Sequence, residues 1–119
     1  MGLTLYGYAK CGTCREAKKE LEAKGYDVHF HDIVESPPPV EEIRRLVETS
    51  GLPLSKFFNV SGEVYREWKL KDRLPGMNEE EKLELLASNG KLIKRPIVTD
   101  GKRVTVGFKK PDFGQAWAP

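Results

Sequence analysis

Leu3-Thr4-Leu5-Tyr6-Gly7-Tyr8-Ala9-Lys10-Cys11-Gly12-Thr13-Cys14 decides the reading of this chain. Residues 3–8 alternate loosely and are rich in β-formers, which predicts a strand feeding a short loop over residues 9–13. From residue 14 to 24 the apolar positions Ala17, Leu21 and Ala23 stand among charged residues at helical spacing, and Gly25 stops the run. Two cysteines therefore sit where a strand hands over to a helix.

Working outward, residues 26–34 read as a second strand, with Val28, Phe30 and Asp32 on one face and His29, His31 and Ile33 on the other. A βαβ opening favours parallel pairing. Ser36-Pro37-Pro38-Pro39 breaks the chain and reads as a stiff connector rather than a recognition motif. Val40, Ile43, Leu46 and Val47 then follow helical spacing up to Ser50-Gly51. Phe57 and Phe58 are expected in the core, and residues 65–71 predict a short helix that packs Trp68 or Leu70. Asn78 predicts an N-cap for a helix through about Ser88, because Glu79, Glu80 and Glu81 load its first turn.

Near the end, Ile97-Val98-Thr99 and Val104-Thr105-Val106 flank Asp100-Gly101-Lys102-Arg103, a hairpin signal because Asp-Gly supplies positive-φ positions cheaply. Residues 111–117 predict a last short helix. Strand, helix, strand, several helices, hairpin and helix in that order suit an α/β thioredoxin-like sandwich.

The 119 residues suffice for one domain with a modest core. Lysine and arginine number 20 against 18 acidic residues, a formal charge of +2 with the signs intermixed, so charge nominates neither nucleic acid nor a membrane surface as partner. No apolar run approaches the roughly 20 residues that span a bilayer, and the first strand is too short and polar-flanked for a signal peptide, so a cytoplasmic location is expected.

Cys11 and Cys14 are the only cysteines and cannot staple distant parts of the fold. In a reducing compartment such a pair is reactive. Cys11 lies by a helix N-terminus, where free N–H groups and the helix dipole favour thiolate, so its pKa is expected below the free value. Lys10, Arg15 and Lys18 are near in sequence and could add positive charge if their side chains turn inward. Cysteines three apart at a helix start lie about one turn from each other, inside the roughly 4.4–6.8 Å Cα separation that a disulfide accepts. Cys11 can then attack and Cys14 resolve. Two rival readings are a passive pair of small buried residues and a zinc site. Zinc would need two more ligands, and His29 and His31 have an unusual spacing for it, so no metal is expected. The second motif is Lys94-Arg95-Pro96-Ile97, where a proline leading into a strand suggests a cis bond or a plain connector.

Lys10-Cys11-Gly12-Thr13-Cys14-Arg15, Arg95-Pro96-Ile97-Val98 and Val106-Gly107-Phe108, in this order, resemble the arsenate reductase-like (ArsC) family, especially its Spx/MgsR-like branch. The resemblance covers essentially the whole chain. It implies a thioredoxin/glutaredoxin-like four-stranded mixed sheet with a helical insertion between strands 2 and 3. In residues, that is a single domain, 1–119, with a core of about 1–36 and 91–119 and an insertion of about 37–90.

The resemblance also implies that Cys11 is catalytic, that Arg95 holds an oxyanion or the thiolate, and that Gly12, Thr13, Arg95 and Pro96 line the substrate site. The family's glutaredoxin-linked arsenate reductases use three arginines on arsenate. Arg95 matches one of them. The other two positions fall on Asn59 and near Gly107, neither of which carries charge. Those enzymes also resemble Cys-Gly-Thr-Ser where this chain has Cys14, and a second cysteine can close an internal disulfide.

The leading expectation is thus a cytoplasmic, monomeric thiol-disulfide oxidoreductase with no bound cofactor. Its external thiol reductant would be glutathione with glutaredoxin, or thioredoxin. The alternative is an Spx-like redox-sensing regulator that binds the C-terminal domain of the RNA polymerase α subunit. It ranks second because residues 48–62 carry no convincing copy of the polymerase-contacting segment.

Overall fold

The computed structural model describes residues 2–118, which form two compact units: the segments up to Asp32 and from Arg95 onward make one, and Ile33–Lys94 the other. The first contains the sheet. β1 (Gly2–Gly7) pairs in parallel with β2 (Asp27–Asp32) and antiparallel with β3 (Ile97–Thr99), which pairs antiparallel with β4 (Val104–Val106). The strand order is β2-β1-β3-β4, the expected mixed four-stranded sheet.

Between β1 and β2 runs α1 (Gly12–Ala23), which buries Cys14, Ala17 and Leu21. It begins two residues earlier than the apolar spacing indicates, because Cys11 in extended conformation serves as N-cap and the chain turns helical at once. Its end is as read: Gly25 follows with φ 94°, a conformation that costs glycine little.

The second strand is shorter than the sequence suggested, and Ile33 falls outside it, buried in the other unit. Val28 and Phe30 face the core cluster of Leu3, Leu5, Cys14, Ala17, Leu21, Tyr26, Val98, Phe113 and Trp117. Full burial of a leucine such as Leu5 or Leu21 contributes about 1.5–3 kcal/mol. His29 is exposed, and the His31 ring lies 5.0 Å from that of Tyr6.

The hairpin forms as read. Gly101 has φ 94°, and the Asp100 carboxylate accepts the N–H groups of Lys102 and Arg103, both at 2.9 Å. The last helix of the chain (Lys110–Ala116) sets Trp117 into the core, where its indole N–H donates to Thr105 Oγ1 at 2.9 Å and the Arg103 guanidinium covers its ring at 4.3 Å.

The second unit is helical. α2 (Val40–Ser50) packs on the helix Glu79–Ser88, and a 2.6 Å bond from Arg44 to Glu80 ties their surfaces. Asn78 caps the latter helix as its sequence indicated. Its Oδ1 accepts from Glu81 N at 2.8 Å, and Glu81 returns a bond to Asn78 N at 3.0 Å. Phe57 and Phe58 are buried. The single helix expected over 65–71 is instead two short ones, Glu63–Glu67 and Leu70–Arg73, because Lys69 between them adopts φ 53°. Leu70 is buried, whereas Trp68 is only partly so. No helix among the described residues is long and apolar enough to cross a membrane.

Candidate active site

The site is built at the C-terminal end of β1. Tyr8 follows that strand, and its carbonyl accepts the Cys11 N–H at 2.9 Å, a turn that delivers Cys11 to the start of α1. Cys11 is half-buried, Cys14 fully buried, and both thiols are free.

The two sulfurs have opposite electrostatic fates. Burial pushes the Cys11 thiol up, but the Cys14 thiol and backbone N–H and the Arg95 guanidinium together outweigh it and hold Cys11 below its usual range. Cys14 is pushed up to about 12, first by burial and then by the neighbouring Cys11 sulfur. The Tyr8 N–H and Arg95 only partly oppose that rise. One thiol is set to ionise and the other to keep its proton.

Arg95 reaches this point from the far end of the chain. The Arg95-Pro96 bond is cis, and the Pro96 carbonyl accepts the Gly107 N–H at 2.8 Å, which joins the two glycine- and proline-bearing motifs singled out in the sequence. The Arg95 guanidinium carbon lies 5.5 Å from the centre of the Tyr8 ring, and its Nη1 is buried without a hydrogen-bond partner.

The structure thus brings Cys11, Cys14 and Arg95 together, with Pro96 buried beside them in sequence. Gly12 and Thr13 open α1 and are exposed. The nearby cations Lys10, Arg15 and Lys18 are not among the leading influences on Cys11: Lys10 and Arg15 are exposed and Lys18 pairs with Glu22 at 3.2 Å. Asn59 belongs to the helical unit, where its N–H donates to the Leu92 carbonyl at 2.7 Å.

Two residues with no spacing signal also shape the site. Tyr8 faces both cysteines through its backbone and Arg95 through its ring. Gly7 presses on Cys14, since a Cβ there would stand 3.0 Å from the Cys14 sulfur. No group of three or more His, Cys, Asp or Glu among the described residues could hold a metal ion.

Known proteins share this fold and sequence pattern. The ArsC family model matches residues 6–116. The Bacillus subtilis protein YusI is 58% identical over 118 residues, 99% of this chain and 100% of its own length. The global transcriptional regulator Spx of Enterococcus faecalis is 28% identical over 111 residues, 93% of this chain and 83% of its own. Among solved structures, an arsenate reductase from Vibrio cholerae superposes with a TM-score of 0.83 at 28% identity, covering 97% of this chain and 94% of that one. The fold is accordingly thioredoxin-like, with the helical segment inserted in sequence between β2 and β3. From its strand-end cysteine to its last helix, this chain belongs to the ArsC family, in its Spx/MgsR-like branch.

Proposed function

We propose that the protein is a thiol-disulfide oxidoreductase in which Cys11 attacks and Cys14 resolves. The observation that carries this reading is the asymmetry of the pair: a half-exposed thiol held low beside Arg95, and a buried neighbour held at about 12.

In the first step the Cys11 thiolate attacks one sulfur of an oxidised substrate. The substrate S–S bond breaks, a mixed disulfide forms on Cys11, and the other sulfur leaves as a thiolate. Cys14 gives its proton to that departing thiolate, and its sulfur then attacks Cys11 Sγ. This closes the Cys11–Cys14 disulfide and releases the second substrate thiolate. The substrate gains two electrons and the protein loses two. A glutaredoxin or thioredoxin dithiol, or two glutathione molecules, returns them. Arg95 steadies the Cys11 thiolate by charge and hydrogen bond. On this reading the protein works in the cytoplasm.

Arsenate is the weaker substrate candidate, because of the three arginines implied for the family's arsenate reductases the chain matches only Arg95. The deciding assay supplies the reduced protein with arsenate or a small disulfide, plus glutathione and glutaredoxin or a thioredoxin system, and follows NADPH loss. Turnover of the disulfide that vanishes in Cys11→Ser, with mixed disulfides accumulating in Cys14→Ser, is the expected result. Turnover that survives without Cys11 would sink the mechanism.

Similarity to Spx over 93% of the chain supports a second reading, a redox-toggled contact with the RNA polymerase α subunit. A pull-down that recovers no α subunit in either redox state rejects it.

A further inference from the structure

Among the leading influences on the Cys11 sulfur, Arg95 is the charged side chain, and it comes from 84 positions further along the chain. Arginine is long and rotamer-rich, and a guanidinium with an unfilled donor tends to swing toward water. Something must seat it.

We infer that Tyr8 is the positioning residue for Arg95: its ring seats the guanidinium against the Cys11 sulfur. Three observations converge on it. The guanidinium carbon stands 5.5 Å from the ring centre, inside the roughly 6 Å over which an aromatic face attracts a cation. The backbone of Tyr8 is pinned by the cysteines themselves, its carbonyl by the Cys11 N–H at 2.9 Å and its N–H by the Cys14 sulfur, so the ring's direction is set by the turn that presents Cys11. Arg95 Nη1 is buried without a hydrogen-bond partner, so beyond the bond to Cys11 the ring is what the guanidinium packs against.

The groups that face Cys11 are therefore Cys14 from α1, Arg95 from the segment before β3, and Tyr8 through Arg95. This inference rests on the proposed reading of Cys11 as the reactive thiolate, and the test separates the two.

The measurement is the pH dependence of iodoacetamide labelling at Cys11 in the full-length reduced protein, with the site identified by mass spectrometry. Arg95→Met raises the labelling midpoint by about one pH unit. Tyr8→Leu raises it by at least about half as much, and Tyr8→Phe, which keeps the aromatic face, restores the wild-type midpoint. In the Tyr8→Leu/Arg95→Met double variant the shift equals that of Arg95→Met alone, because Tyr8 acts through Arg95. Tyr8→Met, similar in bulk but without a π face, repeats the measurement if the leucine variant folds poorly. A Tyr8→Leu midpoint equal to wild type while Arg95→Met shifts it overturns the inference, as does a Tyr8 effect that persists without Arg95. A wild-type midpoint at the ordinary thiol value overturns the thiolate reading itself.

Discussion

Gly7 and Cys14 are packed with no room for a methyl group between them: a Cβ on Gly7 would stand 3.0 Å from the Cys14 sulfur and 2.9 Å from Cδ2 of Leu5. Leu5 and Cys14 are both fully buried, so neither can retreat into solvent. Gly7→Ala is expected to lose about 1–3 kcal/mol of stability in urea unfolding and to slow closure of the Cys11–Cys14 disulfide by displacing Cys14. An unchanged urea midpoint would show that the site relaxes and that the close packing has no energetic weight.

Cys14 should make the protein sensitive to alkaline pH. Its folded pKa, about 12, lies above the ordinary thiol value of 9.0, so the native state keeps a proton that the unfolded chain gives up. The resulting stabilisation is complete below the unfolded pKa and is lost as pH rises from about 9 toward about 12. Cys11 has the opposite sign: its lowered pKa stabilises the fold above the unfolded value, and that contribution is lost as pH falls through the folded one. Stability measured between about pH 8 and about pH 10.5 should therefore fall less steeply for Cys14→Ala than for wild type. Parallel curves for the two proteins would contradict this.

Gly90 is a steric requirement of the helical unit. A Cβ there would lie 1.7 Å from the carbonyl oxygen of Ile33 and 2.4 Å from its carbonyl carbon, and backbone cannot yield as a side-chain tip can. Gly90→Ala should cost about 3 kcal/mol or more and give little soluble protein. Recovery of a variant that melts with wild type would refute the close approach.

Asn78 offers a milder test in the same unit. Asn78→Ala removes the reciprocal bonds with Glu81 and should cost about 1 kcal/mol. Asn78→Asp, which keeps an acceptor at the N-cap, should retain most of that stability. Equal unfolding midpoints for the alanine and aspartate variants would show that the side-chain acceptor is irrelevant.

The parts of this structure that were legible in the sequence are those with a local cause. β1, α2, the Asn78 cap and the Asp100-Gly101 turn each rest on residues within a few positions of one another, and each formed where its pattern lay, β1 one residue earlier so that Tyr8 falls just past it. Cys11, Cys14 and the Arg95-Pro96 pair could also be named, because strand-to-helix cysteines and a proline before a strand are short-range signals.

What the sequence concealed depends on pairing across the chain. Lys10, Arg15 and Lys18 are neighbours of Cys11 in sequence, whereas Arg95, brought in by the β1–β3 pairing, supplies the charge. Tyr8 had no visible partner until that pairing existed. The break at Lys69 was hidden for another reason: lysine is a sound helix former, and only its observed φ of 53° reveals the interruption.

Trp117 and Trp68 are the chain's two tryptophans, and each compact unit holds one. The first is fully buried, with the Arg103 guanidinium over its ring and its N–H occupied by Thr105, while the second remains partly open to water. Blue-shifted fluorescence therefore follows the sheet and its cysteines, and red-shifted fluorescence follows the helical segment. With Trp68→Phe and Trp117→Phe to assign the two signals, a single emission spectrum can time the melting of one unit against the other without an added dye.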